Sequence, residues 1–142
     1  MRVTFNVVGL REVEKGLGEL KAATARSVTR KALQAGGELI ARDARAMVPR
    51  DTWGLHESIK VSGTLSPSQA AQHQKESEQE VFVGPDNRPQ AVTQEFGTVF
   101  HPPQAYMRPA FDAQKHNVVK RIADELMVGV DRAVQRAARR GR

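Results

Sequence analysis

The 142-residue sequence contains no cysteine, which excludes a disulfide framework, a thiolate nucleophile and a cysteine-based metal site. It also has no apolar run near the roughly 18 residues of a membrane span, and Met1–Leu10 lacks the charged-then-apolar order of a secretory signal. The expectation is a soluble, unexported chain with no membrane partner, made in a reducing compartment. Aromatics are few: Phe5, Trp53, Phe82, Phe96, Phe100, Tyr106 and Phe111 are all that anchor a core held by packing alone. Neither GxGxxG nor a phosphate-loop lysine pattern occurs, and Gly84-Pro85-Asp86-Asn87 reads as a turn rather than a nucleotide cradle.

Acidic residues are missing from one place in particular. The segment Arg132–Arg142 carries Arg132, Arg136, Arg139, Arg140 and Arg142 and no acid, so without it the net charge of +6 falls to about +1. The basic character is concentrated in a tail. Such a tail meets phosphate by charge alone, in a sequence-independent and salt-sensitive way, or lies as a solvated helix end, or contacts an acidic partner.

A chain of this length suits one domain that buries roughly two thirds of its unfolded surface. We divide it into an α+β body, residues 1–131, and a basic tail, residues 132–142, expected to fray. Val3, Phe5 and Val7 alternate as a short strand. From Leu10 to Pro49 the apolar spacing is helical, but Gly16, Gly18 and Gly36-Gly37 argue for a short helix followed by a longer one. Ile59, Val61 and Leu65 make a second strand and Val81–Val83 a third. Ser66–Glu80 between them, with seven Gln or Glu residues, reads as a mobile hairpin loop. Ala91–Phe96 forms one or two helical turns. Pro109 opens a last helix with an apolar stripe at Phe111, Val118, Ile122, Leu126, Val130 and Val134, expected to cover the sheet. The expected fold is thus α+β, with a small antiparallel meander of three or more strands packed against a long N-terminal helix and a C-terminal helix.

Chemistry finds little support. His56, His73, His101 and His116 lie in separate elements without a recognised ligand spacing. His56, Glu57 and Ser58 are neighbours on a turn and do not face one another as a nucleophile and its base must. Asp51 and Glu57 are better read as a helix cap and a solvated acid than as a catalytic carboxylate pair. No catalytic residue, cofactor or metal is assigned.

The most specified positions form two clusters. One runs from Pro49 to Ile59 and contains Thr52, Trp53, Gly54 and Leu55. The other joins Gln94-Glu95-Phe96-Gly97-Thr98 to Tyr106-Met107-Arg108-Pro109-Ala110. Gly54 and Gly97 permit turns that side chains would obstruct. Trp53, Leu55, Phe96, Tyr106 and Met107 are apolar anchors for loop packing or for an interface.

With the helix ending Ala46-Met47-Val48-Pro49, the strand end Val81-Phe82-Val83-Gly84 and a helix after Arg108-Pro109-Ala110, these clusters give the chain its resemblance to a phage family. It resembles the neck or tail-completion proteins of long-tailed siphophages, the tail-component family of lambda-like phages that includes the minor tail protein Z group. Trp53 splits the family's usual Thr-Gly, and Ser66–Gln79 is longer and more polar. The resemblance implies a non-enzymatic virion protein made in the host cytoplasm and built into the head–tail junction or tail as a ring, with six or twelve copies both open. Its partners would be its own copies, other neck, connector and tail proteins, and transiently the DNA in the channel. Two alternatives stand beside this: a tail terminator or head-side adaptor of the same virion, and a basic nucleic-acid-binding protein acting through the arginine tail.

Overall fold

The computed structural model describes residues 8–49 and 53–141. The strand expected at Val3–Val7, the cap assigned to Asp51 and the interface residue Thr52 lie outside them, as does Arg142 at the end of the basic segment. The chain runs α1 (Leu10–Glu19), α2 (Ala22–Met47), α3 (Trp53–Ser58), β1 (Lys60–Ser62), α4 (Pro67–Ala70), β2 (Phe82–Gly84), α5 (Pro89–Phe96) and α6 (Met107–Arg140). The α+β class is as expected. Among the described residues no helix is long and apolar enough to cross a membrane.

The short-then-long helix pair holds, but Gly36-Gly37 does not interrupt α2. Its C-terminal end follows local chemistry: Val48 is extended before Pro49, which disfavours helix at the residue preceding it. Its middle follows packing. A methyl group on Gly36 would stand 2.6 Å from Cγ1 of Ile122, and one on Gly129 of α6 would stand 2.6 Å from Cγ1 of Val28. Each helix thus receives a branched side chain from the other over a glycine. The two helices run antiparallel, Val28 beside Gly129, Ile122 beside Gly36, and Gln114 donating to the Asp43 carboxylate at 2.6 Å.

This close approach revises the expected apolar stripe. The buried positions of α6 are Ala110, Ala123, Val130 and Ala133, whereas Phe111 and Val134 are each 47% exposed. Small residues mark the contact because large ones would hold the helices apart. The helix packs mainly on α2 rather than covering the sheet, and α2 also carries the hairpin. The basic segment continues α6 as far as Arg140, and Ala133, beyond the boundary at residue 132, is 4% exposed.

Among the described residues the sheet has two strands, not the three or more of the expected meander. β1 and β2 are antiparallel with Val61 opposite Val83. Arg45 of α2 ties them down by donating from Nε and Nη2 to the Ile59 carbonyl at 3.0 and 2.7 Å. The polar Ser66–Glu80 segment, expected as a mobile loop, is ordered by its own side chains. Ser66 and Gln69 form a capping box on α4. The Glu80 carboxylate accepts from the backbone N–H groups of Glu76 and Ser77 and pairs with His73 at 2.8 Å. His73 in turn meets Phe82 edge-on, with ring centroids 5.1 Å apart. Low apolar content does not preclude structure where side chains satisfy the backbone locally.

Candidate assembly interface

The two sequence clusters meet in one core. Leu55 and Ile59 of the first, Ala91 of α5, and Tyr106 and Ala110 of the second are all buried with Ile40, Ala41, Ala44 and Val48, and Met107 packs against them half-buried. Tyr106 is 1% exposed and its hydroxyl donates to the Ala91 carbonyl at 3.2 Å. Burial, with the nearby Glu95 charge, pushes that phenol up to about 12. Tyr106 is therefore an internal anchor that fixes α5 against the start of α6.

Glu95 completes that junction. No side chain of α6 caps its own N-terminus. Instead one Glu95 carboxylate oxygen accepts from the backbone N–H groups of Tyr106 and Met107 at 2.8 and 3.0 Å, and the other accepts from Arg108 at 3.0 Å. A negative group here satisfies orphan donors and meets the positive end of the helix dipole. Gln94 adds a second tie: its carbonyl accepts from the Gln104 N–H at 2.9 Å, and its amide donates to the Gln104 side chain at 2.9 Å. Arg108 itself is exposed and ion-pairs with Asp112 at 3.4 Å.

Between these anchors residues 97–105 form a braced loop. Gly97 has φ +74°, and a Cβ there would meet the Pro103 nitrogen at 2.7 Å and the His101 carbonyl oxygen at 2.9 Å, so glycine is required. Thr98 donates its N–H to the His101 carbonyl, while its hydroxyl accepts from the N–H groups of Phe100 and His101. What the loop displays is apolar: Val99 is 96% and Phe100 89% exposed. On the adjoining helix α5, Val92 and Phe96, one turn apart, are 61% and 75% exposed. Phe96 is thus a surface residue rather than a packing one.

Beside this patch lies a cleft of about 800 Å³ between α5 and the β1–β2 hairpin, with Leu65, Phe82, Val92 and Phe96 among its walls. Its rim carries Asp86 and Arg88, joined by two hydrogen bonds of 2.6 and 2.7 Å. The Arg88 guanidinium holds the Asp86 carboxyl below its usual range. It also lies over Gly54, where a Cβ would stand 2.5 Å from Nη1. Trp53 opens α3 just before it.

The other predicted residues are elsewhere. Arg132, Arg136, Arg139 and Arg140 are exposed on the last turns of α6, which at 1.5 Å per residue place Arg139 about 50 Å from Met107. Arg132, Arg136 and Arg139 share a second cleft with Lys31 of α2. Ser58 is buried, its hydroxyl donating to the Leu55 carbonyl at 2.7 Å. Sequence reasoning missed Val92, Val99 and Phe100. The available signal was an adjacent apolar pair held between Gly97 and Pro102-Pro103 in a segment, Phe96–Met107, with no Asp, Glu, Lys or Arg.

The comparisons with known proteins bear on this arrangement. The model of the family described as bacteriophage HK97-gp10, a tail component, matches residues 11–97, which is more than half of the chain and runs from α1 to the end of α5. No curated protein and no solved structure gives a significant match. The chain belongs to the HK97-gp10-like family of bacteriophage tail components.

Proposed function

We propose that this chain is a neck or tail-completion subunit of a siphophage virion, akin to the minor tail protein Z group, that assembles as a ring where the tail meets the head. The observation that carries the reading, beside family membership, is the set of exposed apolar side chains Val92 and Phe96 on α5 and Val99 and Phe100 on the adjoining braced loop. Soluble monomers rarely leave large contiguous apolar patches uncovered unless these bind something. The protein works by geometry, without an active site or cofactor. Its partners are its own copies and the neighbouring connector and tail proteins. Light scattering of the purified protein, alone and with tail tubes or connectors, combined with electron microscopy, tests this. A ring or end-docked density is the expected result, and a monomer that ignores both partners removes the reading. A terminator or adaptor role in the same virion differs in which partner is docked, and gene neighbourhood separates the two.

A second reading rests on the cationic cleft of Lys31, Arg132, Arg136 and Arg139. In the ring these residues meet DNA passing through the channel, whereas without a ring the same cluster makes a nucleic-acid-binding protein. Steep salt-dependent DNA binding by a monomer that ignores tail ends favours the latter.

A further inference from the structure

We propose that the groove between the start of α2 and the end of α6 seats the phosphate backbone of duplex DNA and does not read its bases. This rests on the second reading above and names what that site takes hold of.

Both walls follow from helical spacing. Arg132, Arg136 and Arg139 recur at intervals of four and three, which puts them on one face of α6. Thr24, Ser27 and Lys31 recur at intervals of three and four on α2, which runs antiparallel to α6. All six line one groove of about 640 Å³, and so do Val28 and Gly129, where the two helices touch.

The charge of this groove is uncompensated. Among the described residues Lys31, Arg132, Arg136 and Arg139 hold no ion pair. The one acid on the walls, Glu125, is paired with Arg121 at 3.0 Å. Like charges a turn apart on a helix repel, and an anion seated between them turns that repulsion into attraction. The first turn of α2 adjoins the groove with no side-chain cap and no acid, so its positive end adds to the field.

The spacing fits a linear polyanion. At about 1.5 Å per residue the three arginines extend over roughly 10 Å of α6. A DNA strand places one phosphate every ~3.4 Å of duplex axis, so about three phosphates lie alongside. Thr24, Ser27 and Gln135 add neutral donors of the kind that phosphate oxygens accept. Among the described residues no aromatic lines the groove, so an unpaired base has no platform on which to stack. That favours the charge-dense duplex over a single strand and makes binding indifferent to sequence.

The test is the salt dependence of binding to short labelled duplexes of two unrelated sequences, read by fluorescence anisotropy. With four cations engaged, the slope of log K against log salt is expected at about −3 to −4, a loss on the order of 100-fold between about 50 and 200 mM salt. Lys31→Gln and Arg136→Gln should each flatten the slope by about one. Arg140→Gln, at the same helix end but outside the groove, leaves it nearly unchanged. All three positions are exposed, and circular dichroism with thermal melts checks that each variant folds. Lys31 is the sharp case, because it is far from the arginines in the chain and shares only the groove with them. An equal loss for Arg140→Gln, or none for Lys31→Gln, overturns the groove and leaves a nucleic-acid-binding tail standing. Tighter binding to single-stranded DNA, or to one of the two duplexes, overturns recognition by the backbone alone. Tighter binding to poly-L-glutamate than to either duplex overturns the assignment and gives the groove to an acidic protein. A parent chain that binds no DNA at low salt removes the second reading as well.

Discussion

The Glu95 carboxylate stands 2.8 Å from the backbone nitrogen of Tyr106, so the last turn of α5 caps the first turn of α6. This one contact explains why Glu-Phe-Gly-Thr and Tyr-Met-Arg-Pro belong together in the sequence: the first supplies the anion and the second the open helix end. It also closes the base of the loop that carries Val99 and Phe100.

Removing the anion should therefore loosen both helix and loop. Glu95→Ala is expected to cost about 1–2 kcal/mol, as lost caps do, and Glu95→Gln less because its amide oxygen still accepts. Urea denaturation measures both. Equal stability of all three proteins would show that the cap contributes nothing.

The Tyr106 phenol makes stability depend on pH at the alkaline end. An unfolded tyrosine ionises near 10, whereas in the fold the value is about 12, so the folded chain holds the proton more tightly. The resulting stabilisation is complete below pH 10 and is lost as pH rises through 10 toward 12. Tyr106→Phe should lose about 0.5–1.5 kcal/mol at neutral pH, through the bond to Ala91, and flatten this alkaline decline. Melts at pH 8, 10 and 11 read out the difference; parallel slopes for both proteins would contradict it.

Gly129→Ala raises helix propensity by up to about 1 kcal/mol yet is expected to destabilise by about 1–3 kcal/mol, because its methyl would stand 2.6 Å from Cγ1 of Val28. Adding Val28→Ala removes the clashing atoms. A double-mutant cycle should then show a favourable coupling, and additive effects would mean that the helices adjust without cost.

Gly97→Ala forces a side chain into φ +74° and against the His101–Pro103 backbone. We expect a loss of about 1–3 kcal/mol, or a displaced loop with faster proteolytic cutting at residues 98–103 and weakened assembly. Unchanged cutting and unchanged particle mass would sink the idea that this loop must be braced to act.

Much of the fold was legible in the residues. The helical spacing from Leu10 to Met47, the turn signals at Pro49 and Gly84-Pro85, and the helix-starting Pro109 are local patterns, and local patterns decide where helices and strands begin and end. The two clusters stood out as well, and in the fold Leu55 and Ile59 of the first share one core with Tyr106 and Ala110 of the second. Less legible was what each position faces. Phe96 and Tyr106 look alike as aromatic anchors, yet one is 75% exposed and the other 1%. The glycines read as helix-weakening because propensity is a local quantity, while the Val28 and Ile122 side chains that need those gaps come from about 100 and 86 residues away in the chain. Ser66–Glu80 read as a mobile hairpin loop because hydrogen bonds made by the Ser66 and Glu80 side chains leave no apolar period.

By itself, then, the sequence determined the α+β class, the order and kind of most elements, and kinship with phage tail components though not a particular group among them, since these follow from spacing, turn chemistry and short motifs. Tertiary structure alone decided that α2 lies between α6 and the hairpin, that Glu95 caps a helix eleven residues downstream, and that Val99 and Phe100 project. The physical reason is that burial and helix capping are relations between distant parts of the chain. A residue's type sets what it can exchange with a neighbour, and only the packed fold supplies the neighbour.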